Sequence, residues 1–185
     1  FIVPDVWQDK VQTLVNAKRW STINFPKEWR VTKVAVVQAE DYSEAVECYA
    51  ILSKHHGYNK IAFSYGADWY ARMVPHPNPL VGKMMGRIMT ISNMYQDGVI
   101  GKSDRVHLLG CALPQEFTYY RDFPFIESID TSNPIIHGLK GIKYKHYGLL
   151  DKDTTKIDQL EEVELTSDVL YNVNHNLIRF KQFIK

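Results

Sequence analysis

The sequence has little cysteine, no long apolar run and almost no net charge. Its two cysteines, Cys48 and Cys111, are too few for a disulfide framework or a cysteine-rich zinc site. They favour a reducing compartment, so we expect a cytoplasmic protein without a membrane partner. No apolar run reaches the roughly 18 residues that a membrane-spanning helix needs. With 22 Lys and Arg against 21 Asp and Glu, the composition argues against a purely electrostatic nucleic-acid binder.

Two kinds of motif are also missing. No GxGxxG or GxxxxGK loop follows a predicted strand, which argues against an unrelated doubly wound protein that binds a nucleotide or phosphate. The first residues lack the basic and apolar regions of a signal peptide. Because the chain begins with Phe1, we expect further residues upstream. The 45% of apolar and 23% of charged residues are those of an ordinary globular domain.

Strand and helix patterns alternate along the chain. A continuous apolar run predicts a buried strand at 34–37, and further strands are predicted at 60–63, 106–109 and 126–129, with 1–3 a candidate for the end of an earlier strand. Helical patterns occupy about 9–19, 43–56, 79–95, 114–122 and 167–184. This order predicts one α/β domain over 1–185 with parallel strands and a variable insertion at about 138–166. A doubly wound sheet and a TIM-type (β/α) barrel, partial or compact at this length, both remain open.

Polar residues follow the predicted strands, and in a parallel sheet they converge at the edge where active sites lie. They are Asp5, Gln38, Ser64, Tyr65, Gly66, Gly110 and Asp130. A glutamine amide can read a planar heterocycle, and glycines let a flat ligand approach the backbone. Two carboxylates can divide nucleophilic and acid/base work at a glycosidic carbon. In the alternative reading, Asp130 only holds the turn that follows it.

In order and spacing these pieces resemble the tRNA-guanine transglycosylase (queuine tRNA-ribosyltransferase) superfamily. HLLGCALPQEF and FIESIDTSNP resemble two consecutive strands of that family, with Asp130 on its nucleophilic aspartate. KVAVVQAED resembles its base-recognition strand, with Gln38 on the glutamine, and IAFSYG resembles the next strand, with Gly66 near its glycines. NHNLIRF resembles its closing helix. VPDV places Asp5 near its second catalytic aspartate.

The resemblance implies a TIM-type barrel and a pentosyltransferase that exchanges guanine for a 7-deazaguanine base. Asp130 would attack C1′ of the target nucleoside and Asp5 would be the acid/base. Gln38, with Ser64, Tyr65 and the Gly66 backbone, would hold the base, and Gly110 would leave room at the pocket wall.

The departures from that family concern its zinc site, which needs three close cysteines and a histidine. Between residues 135 and 167 there is no cysteine. We therefore expect no metal and no cofactor, and a compact protein similar to the transglycosylase-like proteins of phages and DNA-modification clusters. Either tRNA or DNA is then the expected nucleic-acid partner.

A flipped target nucleotide would need stacking and phosphate contacts. Trp69, Tyr70 and Tyr65 are candidates for stacking, with core packing as the alternative. Lys83 and Arg87, four residues apart on one helix, are candidates for phosphate contacts, with a solvated surface as the alternative. A second candidate phosphate-binding group is Lys140, Lys143, Lys145 and His146.

A rival interpretation is a non-catalytic transglycosylase-like subunit that binds nucleic acid or a catalytic partner. It is favoured by the absence of the first barrel strands and opposed by the aspartate at Asp130. An incomplete barrel would expose strand edges, so we expect either a homo-oligomer or partner subunit, or a missing N-terminal segment.

Overall fold

The computed structural model describes residues 1–153, 155, 160 and 163–185. It contains a four-stranded parallel sheet whose strands lie side by side in chain order. The strands are β1 (Ala35–Val37), β2 (Ile61–Ser64), β3 (Val106–Leu109) and β4 (Ile126–Asp130). The predicted α/β class with parallel strands is confirmed. The sheet is open over the described ranges, so a closed TIM barrel is not confirmed.

The N-terminal segment adds a short fifth position to the sheet. Ile2 forms a parallel bridge with Val34, and the Val3 amide donates to the Val34 carbonyl at 2.8 Å. The predicted end of an earlier strand is therefore confirmed as an isolated bridge beside β1. Because the strand order never reverses in this part of the chain, Asp5 and Asp130 follow the two opposite edges of the sheet.

Six α-helices lie between and after the strands in the described ranges. They are α1 (Lys10–Ser21), α2 (Tyr42–Ala50), α3 (Trp69–Met73), α4 (Pro79–Gln96), α5 (Asn133–Leu139) and α6 (Ser167–Ile184). A π-helical turn, Ile51–His55, extends α2, and 3₁₀ turns occupy Lys27–Trp29 and Pro114–Tyr120. None of the helices described is both long and apolar enough to cross a membrane.

The main core lies between one face of the sheet and the helices. Strand residues Val37, Phe63 and Leu108 belong to it, together with Ile88 and Ile91 of α4. The spacing of apolar residues in α4 predicts this buried side, and Asn78 caps the helix by accepting from the Leu80 amide at 3.0 Å. The opposite face of the sheet carries a smaller apolar cluster of Val34, Val36, Ala62 and Leu109.

The apolar residues of α6 predict one buried stripe, and the structure departs from it; the stripe consists of Leu170, Val173, Leu177, Phe180 and Ile184. Phe180 is buried as expected, but Leu170 is 53% exposed and Ile184 is 42% exposed. The helix is turned so that Asn176 faces inward, where its side-chain amide donates to the Ile142 and Pro134 carbonyls and its oxygen accepts from the Tyr144 amide. These hydrogen bonds account for an orientation of α6 that the pattern of apolar residues alone does not predict.

Helix α5 was not predicted, because Asn133-Pro134 and Gly138 are typical of turns. The predicted insertion at 138–166 begins within its last turn. Among its described residues, the insertion has one antiparallel bridge, between Lys145 and Gly148. Residues 154, 156–159 and 161–162 of this insertion lie outside the described residues.

Candidate functional site

The C-terminal ends of β2, β3 and β4 border a cavity of about 1010 Å³, which we call the Asp130 cavity. Four of the predicted site residues line it: Ser64, Tyr65, Gly110 and Asp130. The first turn of α5 and Lys83 and Lys152 complete much of its wall. Its volume is at the upper end of the range of about 300–1,000 Å³ that small-molecule sites occupy. It has room for a nucleoside.

The carboxylate of Asp130 is held at the mouth of β4 and remains open to the cavity. Its side chain is 58% exposed, and its Oδ1 accepts from the Gly110 amide at 2.7 Å. The following turn is held by another residue, because the Thr131 hydroxyl accepts from the Asn133 amide at 3.1 Å. The geometry therefore leaves Asp130 available for chemistry.

Gly110 and Tyr65 form one wall through a close approach. Gly110 has a φ of +65°, and an added Cβ would lie 2.5 Å from Cδ1 of the Tyr65 ring. The ammonium of Lys152 lies 3.6 Å from the centroid of the same ring and donates to the Cys111 carbonyl at 2.6 Å. Lys152 was missed in the sequence, where nothing distinguishes it from the other lysines of the insertion.

A buried ion pair fixes the strand ends beneath this wall. Arg87 and Glu116 are fully buried, with Nε 2.6 Å from Oε1. The guanidinium also donates to the carbonyls of Phe63 at 3.0 Å, Leu109 at 3.2 Å and Gly110 at 2.9 Å. The prediction that Arg87 belongs to an exposed phosphate-binding face is therefore wrong, because its charge is satisfied inside the fold.

Lys83 lies on the other wall of the cavity. Its ammonium pairs with Asp68 at 2.6 Å and donates to the Gly66 carbonyl at 3.0 Å. Gly66 itself faces the indole of Trp7, which an added Cβ would overlap. Gly66 is thus placed next to the N-terminal segment, and it is not among the described residues that line the Asp130 cavity.

Asp5 and Gln38 form a second cluster. The Gln38 amide donates to Oδ2 of Asp5 at 2.6 Å, and its oxygen accepts from the Gln8 backbone amide at 3.0 Å. Gln38 is only 3% exposed, so both ends of its amide are engaged within the protein. Its contacts make it the residue that holds Asp5 in place.

Asp5 and Asp130 follow opposite edges of the sheet, Asp5 in the cluster with Gln38 and Asp130 in the cavity. Four inter-strand steps separate the N-terminal segment from β4, a path of about 19 Å measured along the sheet. Carboxylate pairs that work on one glycosidic bond are about 5–9.5 Å apart. Asp5 is also absent from the described lining of the Asp130 cavity.

The other predicted contact residues divide between core and surface. Trp69 and Tyr70 are buried in the main core, so core packing is confirmed for both, and Tyr65 faces the cavity. A second cavity of about 520 Å³ is lined by the predicted Lys140, Lys143 and Lys145, but His146 is not among its described lining residues. This second cavity shares Lys152, His137, Asp153 and Thr155 with the first.

Two groups near Asp130 have pKa values shifted by burial. Burial raises the pKa of the Cys111 thiol to about 11, so this side chain stays protonated beside the cavity at neutral pH. Burial lowers the pKa of the His107 imidazole, because it disfavours the charged form, and this side chain lies behind Asp130. Within the described ranges no group of three or more His, Cys, Asp or Glu side chains is arranged to hold a metal ion. Of the two carboxylates among the described residues that line the cavity, Asp153 is paired with Lys140 at 2.7 Å and is 16% exposed, whereas Asp130 is 58% exposed and accepts from a backbone amide.

Comparison with known proteins gives no relative from which a role could be transferred. No family model, no curated protein and no solved structure matches the chain. The assignment of a function therefore depends on the geometry of the Asp130 cavity together with the motif resemblance in the sequence.

Proposed function

We propose that the protein is a guanine transglycosylase-like pentosyltransferase that replaces guanine in a nucleic acid with a 7-deazaguanine base. One observation carries the proposal: a partly exposed strand-end carboxylate, Asp130, is held by a backbone amide and faces a nucleoside-sized cavity. The chain-order arrangement of the parallel strands supports a fold that is an arc of a TIM-type barrel.

The first step would form a covalent intermediate. A lone pair on Oδ2 of Asp130 bonds to C1′, and the C1′–N9 bond breaks with its electron pair going to guanine. Guanine takes one proton from water and leaves. The Gly110 amide on Oδ1 fixes the carboxylate, so that Oδ2 is the oxygen free to attack.

In the second step, a 7-deazaguanine base would displace the Asp130 carboxylate from C1′. The 7-deazaguanine loses its N9 proton to water, and the nitrogen lone pair bonds to C1′. The bond between C1′ and Asp130 breaks, and its electron pair returns to the carboxylate. Two displacements at the same carbon retain its configuration.

The walls of the Asp130 cavity suit a flipped nucleotide. A phosphate that draws Lys83 from Asp68 and Lys152 from the Tyr65 ring would leave that ring free to stack on a base, beside the hydrogen-bonding Ser64 hydroxyl. The acid/base role of Asp5 stays a prediction, because that side chain lies in the other cluster with Gln38. The same holds for base contacts by Gln38 and Gly66.

A second candidate function is a non-catalytic subunit that binds nucleic acid or a catalytic partner. It is favoured by the separation of Asp5 from Asp130, which leaves the cavity with one of the two expected carboxylates. Over the described residues the sheet is open and β4 lies at its edge, which supports a homo-oligomer or a partner subunit for this candidate.

A covalent-trapping assay separates the two candidates. The protein is incubated with a 7-deazaguanine base and, in separate reactions, guanine-containing tRNA, duplex DNA and single-stranded DNA. Adducts are then resolved on a denaturing gel. Asp130→Asn should give no adduct, whereas the matched variant Asp122→Asn, changed in an exposed turn before β4, should match the wild type.

The polymer that gives the adduct identifies the substrate as tRNA or DNA. If the folded wild type binds a polymer in a gel-shift assay but forms no adduct with any, the enzyme proposal fails and the non-catalytic candidate stands.

A further inference from the structure

A histidine lies directly behind the carboxylate of Asp130. His107 of β3 is paired in register with Ser128 of β4, and Leu109 is paired with Asp130. Because Ser128 and Asp130 are two residues apart on one strand, their side chains project from the same face and flank the imidazole. Nδ1 of His107 lies 2.8 Å from the Ser128 hydroxyl, and Nε2 lies 3.8 Å from Oδ2 of Asp130.

The arrangement contains the residue types of a serine hydrolase, but its ends are exchanged. In a Ser-His-Asp triad the acid is buried and the serine meets the substrate. Here the Asp130 side chain is 58% exposed and the His107 side chain is 12% exposed. Of the described residues lining the cavity, Asp130 is the one member of this group. The His107 imidazole therefore acts on the Asp130 carboxylate, and the Ser128 hydroxyl is not the group presented to a substrate.

Electrostatics select one tautomer of this imidazole. A neutral imidazole has one donor and one acceptor nitrogen. If Nδ1 carried the proton, the Nε2 lone pair would face the negative carboxylate, which is repulsive. If the Ser128 hydroxyl donates to Nδ1, Nε2 carries the proton and points it towards Asp130, which is attractive.

We propose that Ser128 holds His107 as the Nε2–H tautomer, and that this N–H positions Oδ2 of Asp130 for attack. The inference rests on the proposed function and adds a positioning residue to it. The separation of 3.8 Å exceeds a direct hydrogen bond, so the contact is a charge–dipole interaction that one bridging water or a tightening of about 0.8 Å converts into a hydrogen bond.

The consequence is a carboxylate oriented at both oxygens, by a hydrogen bond at Oδ1 and by a charge–dipole contact at Oδ2. The Gly110 amide holds Oδ1, and the imidazole of His107 restrains Oδ2. Without the imidazole, Asp130 keeps one hydrogen bond and can turn about it. Loss of an outer orienting partner typically lowers activity by about 10–100-fold, as for the partners of metal-bound side chains.

The tautomer can be measured without any enzymatic activity. In protein with ¹⁵N-labelled histidine, long-range ¹H–¹⁵N correlation at pH 7.5 distinguishes Nε2–H, Nδ1–H and the imidazolium. Assignment uses His107→Gln, and exposed His55 is the internal reference. Burial lowers the pKa of His107, and the positive charges of Lys60 and Arg87 lower it further, while the negative charge of Asp130 raises it by less. The imidazole should therefore be neutral at this pH.

We expect the Nε2–H pattern for His107, and a mixture of tautomers in Ser128→Ala. An Nδ1–H tautomer or an imidazolium in the wild type would overturn the inference, whether or not the protein is an enzyme. If the Nε2–H tautomer is found but no adduct ever forms, the proposed reaction fails while the orientation of His107 stands.

The kinetic arm measures the rate of adduct formation in the trapping assay. His107→Leu, which has no N–H, should be slower by about 10–100-fold. His107→Gln, which can donate from its amide, should recover a clear part of that loss. Equal rates for the wild type and a folded His107→Leu would refute the positioning role, as would equal losses in the Leu and Gln variants.

Discussion

Replacing Gly110 with alanine tests the wall that carries the Asp130 contact. Gly110 has a φ of +65°, a conformation that costs an alanine roughly 1–2 kcal/mol. The new methyl group would also lie 2.5 Å from Cδ1 of Tyr65, and overpacking of this kind typically costs about 1–3 kcal/mol. Together these effects predict a loss of about 2–5 kcal/mol in the free energy of unfolding.

The assay is urea denaturation of the wild type and two alanine variants. Gly98 is the matched control, since its φ is +71° and no heavy atom lies within 4 Å of an added Cβ. Gly98→Ala should therefore show the conformational cost alone, about 1–2 kcal/mol. The difference between the two variants measures the contact with Tyr65.

A double variant completes this test. Tyr65→Ala combined with Gly110→Ala removes the overlapping ring, so the alanine at Gly110 should cost no more than the one at Gly98 in that background. Equal destabilisation by Gly110→Ala and Gly98→Ala in the wild-type background would refute the close approach and, with it, the described wall of the cavity.

Three further predictions concern the buried polar groups. Arg87→Met should cost about 3–5 kcal/mol of unfolding free energy, because it leaves the Glu116 carboxylate buried and unpaired. In a urea double-mutant cycle, Arg87→Met combined with Glu116→Leu should cost less than the sum of the two single changes. Cys48 and Cys111 should resist a disulfide reagent at pH 8 until the protein unfolds, because burial raises the pKa of each thiol to about 11; fast labelling of folded protein would contradict this. Asn176→Ala should lower the urea midpoint strongly, because each backbone group that loses its partner costs about 1–3 kcal/mol; an unchanged midpoint would show that water replaces the amide.

Much of the fold follows from patterns that depend on local physics. The apolar run of β1 predicts a strand covered on both faces, because such strands have no polar alternation, and all three of its residues are buried. β4, by contrast, has no fully buried residue. The Asp130 cavity was also predictable in part. The carboxyl ends of neighbouring parallel strands meet at one edge, and this places Ser64, Tyr65, Gly110 and Asp130 together.

What the sequence did not reveal depends on long-range hydrogen bonds. Arg87 has the spacing of a surface charge on α4, and its burial follows from three strand-end carbonyls and from Glu116. Asn176 turns α6 away from the orientation that its apolar residues predict. The separation of Asp5 from Asp130 follows from the strand order, which no local pattern encodes.

The most direct test of the account is mass spectrometry of the trapped complex. After nuclease and protease digestion, a pentose carried by the peptide that contains Asp130, attached through its carboxylate, is the predicted result. A pentose on a different residue, or a peptide from confirmed adduct in which Asp130 is unmodified, would contradict the assignment of Asp130 as the nucleophile.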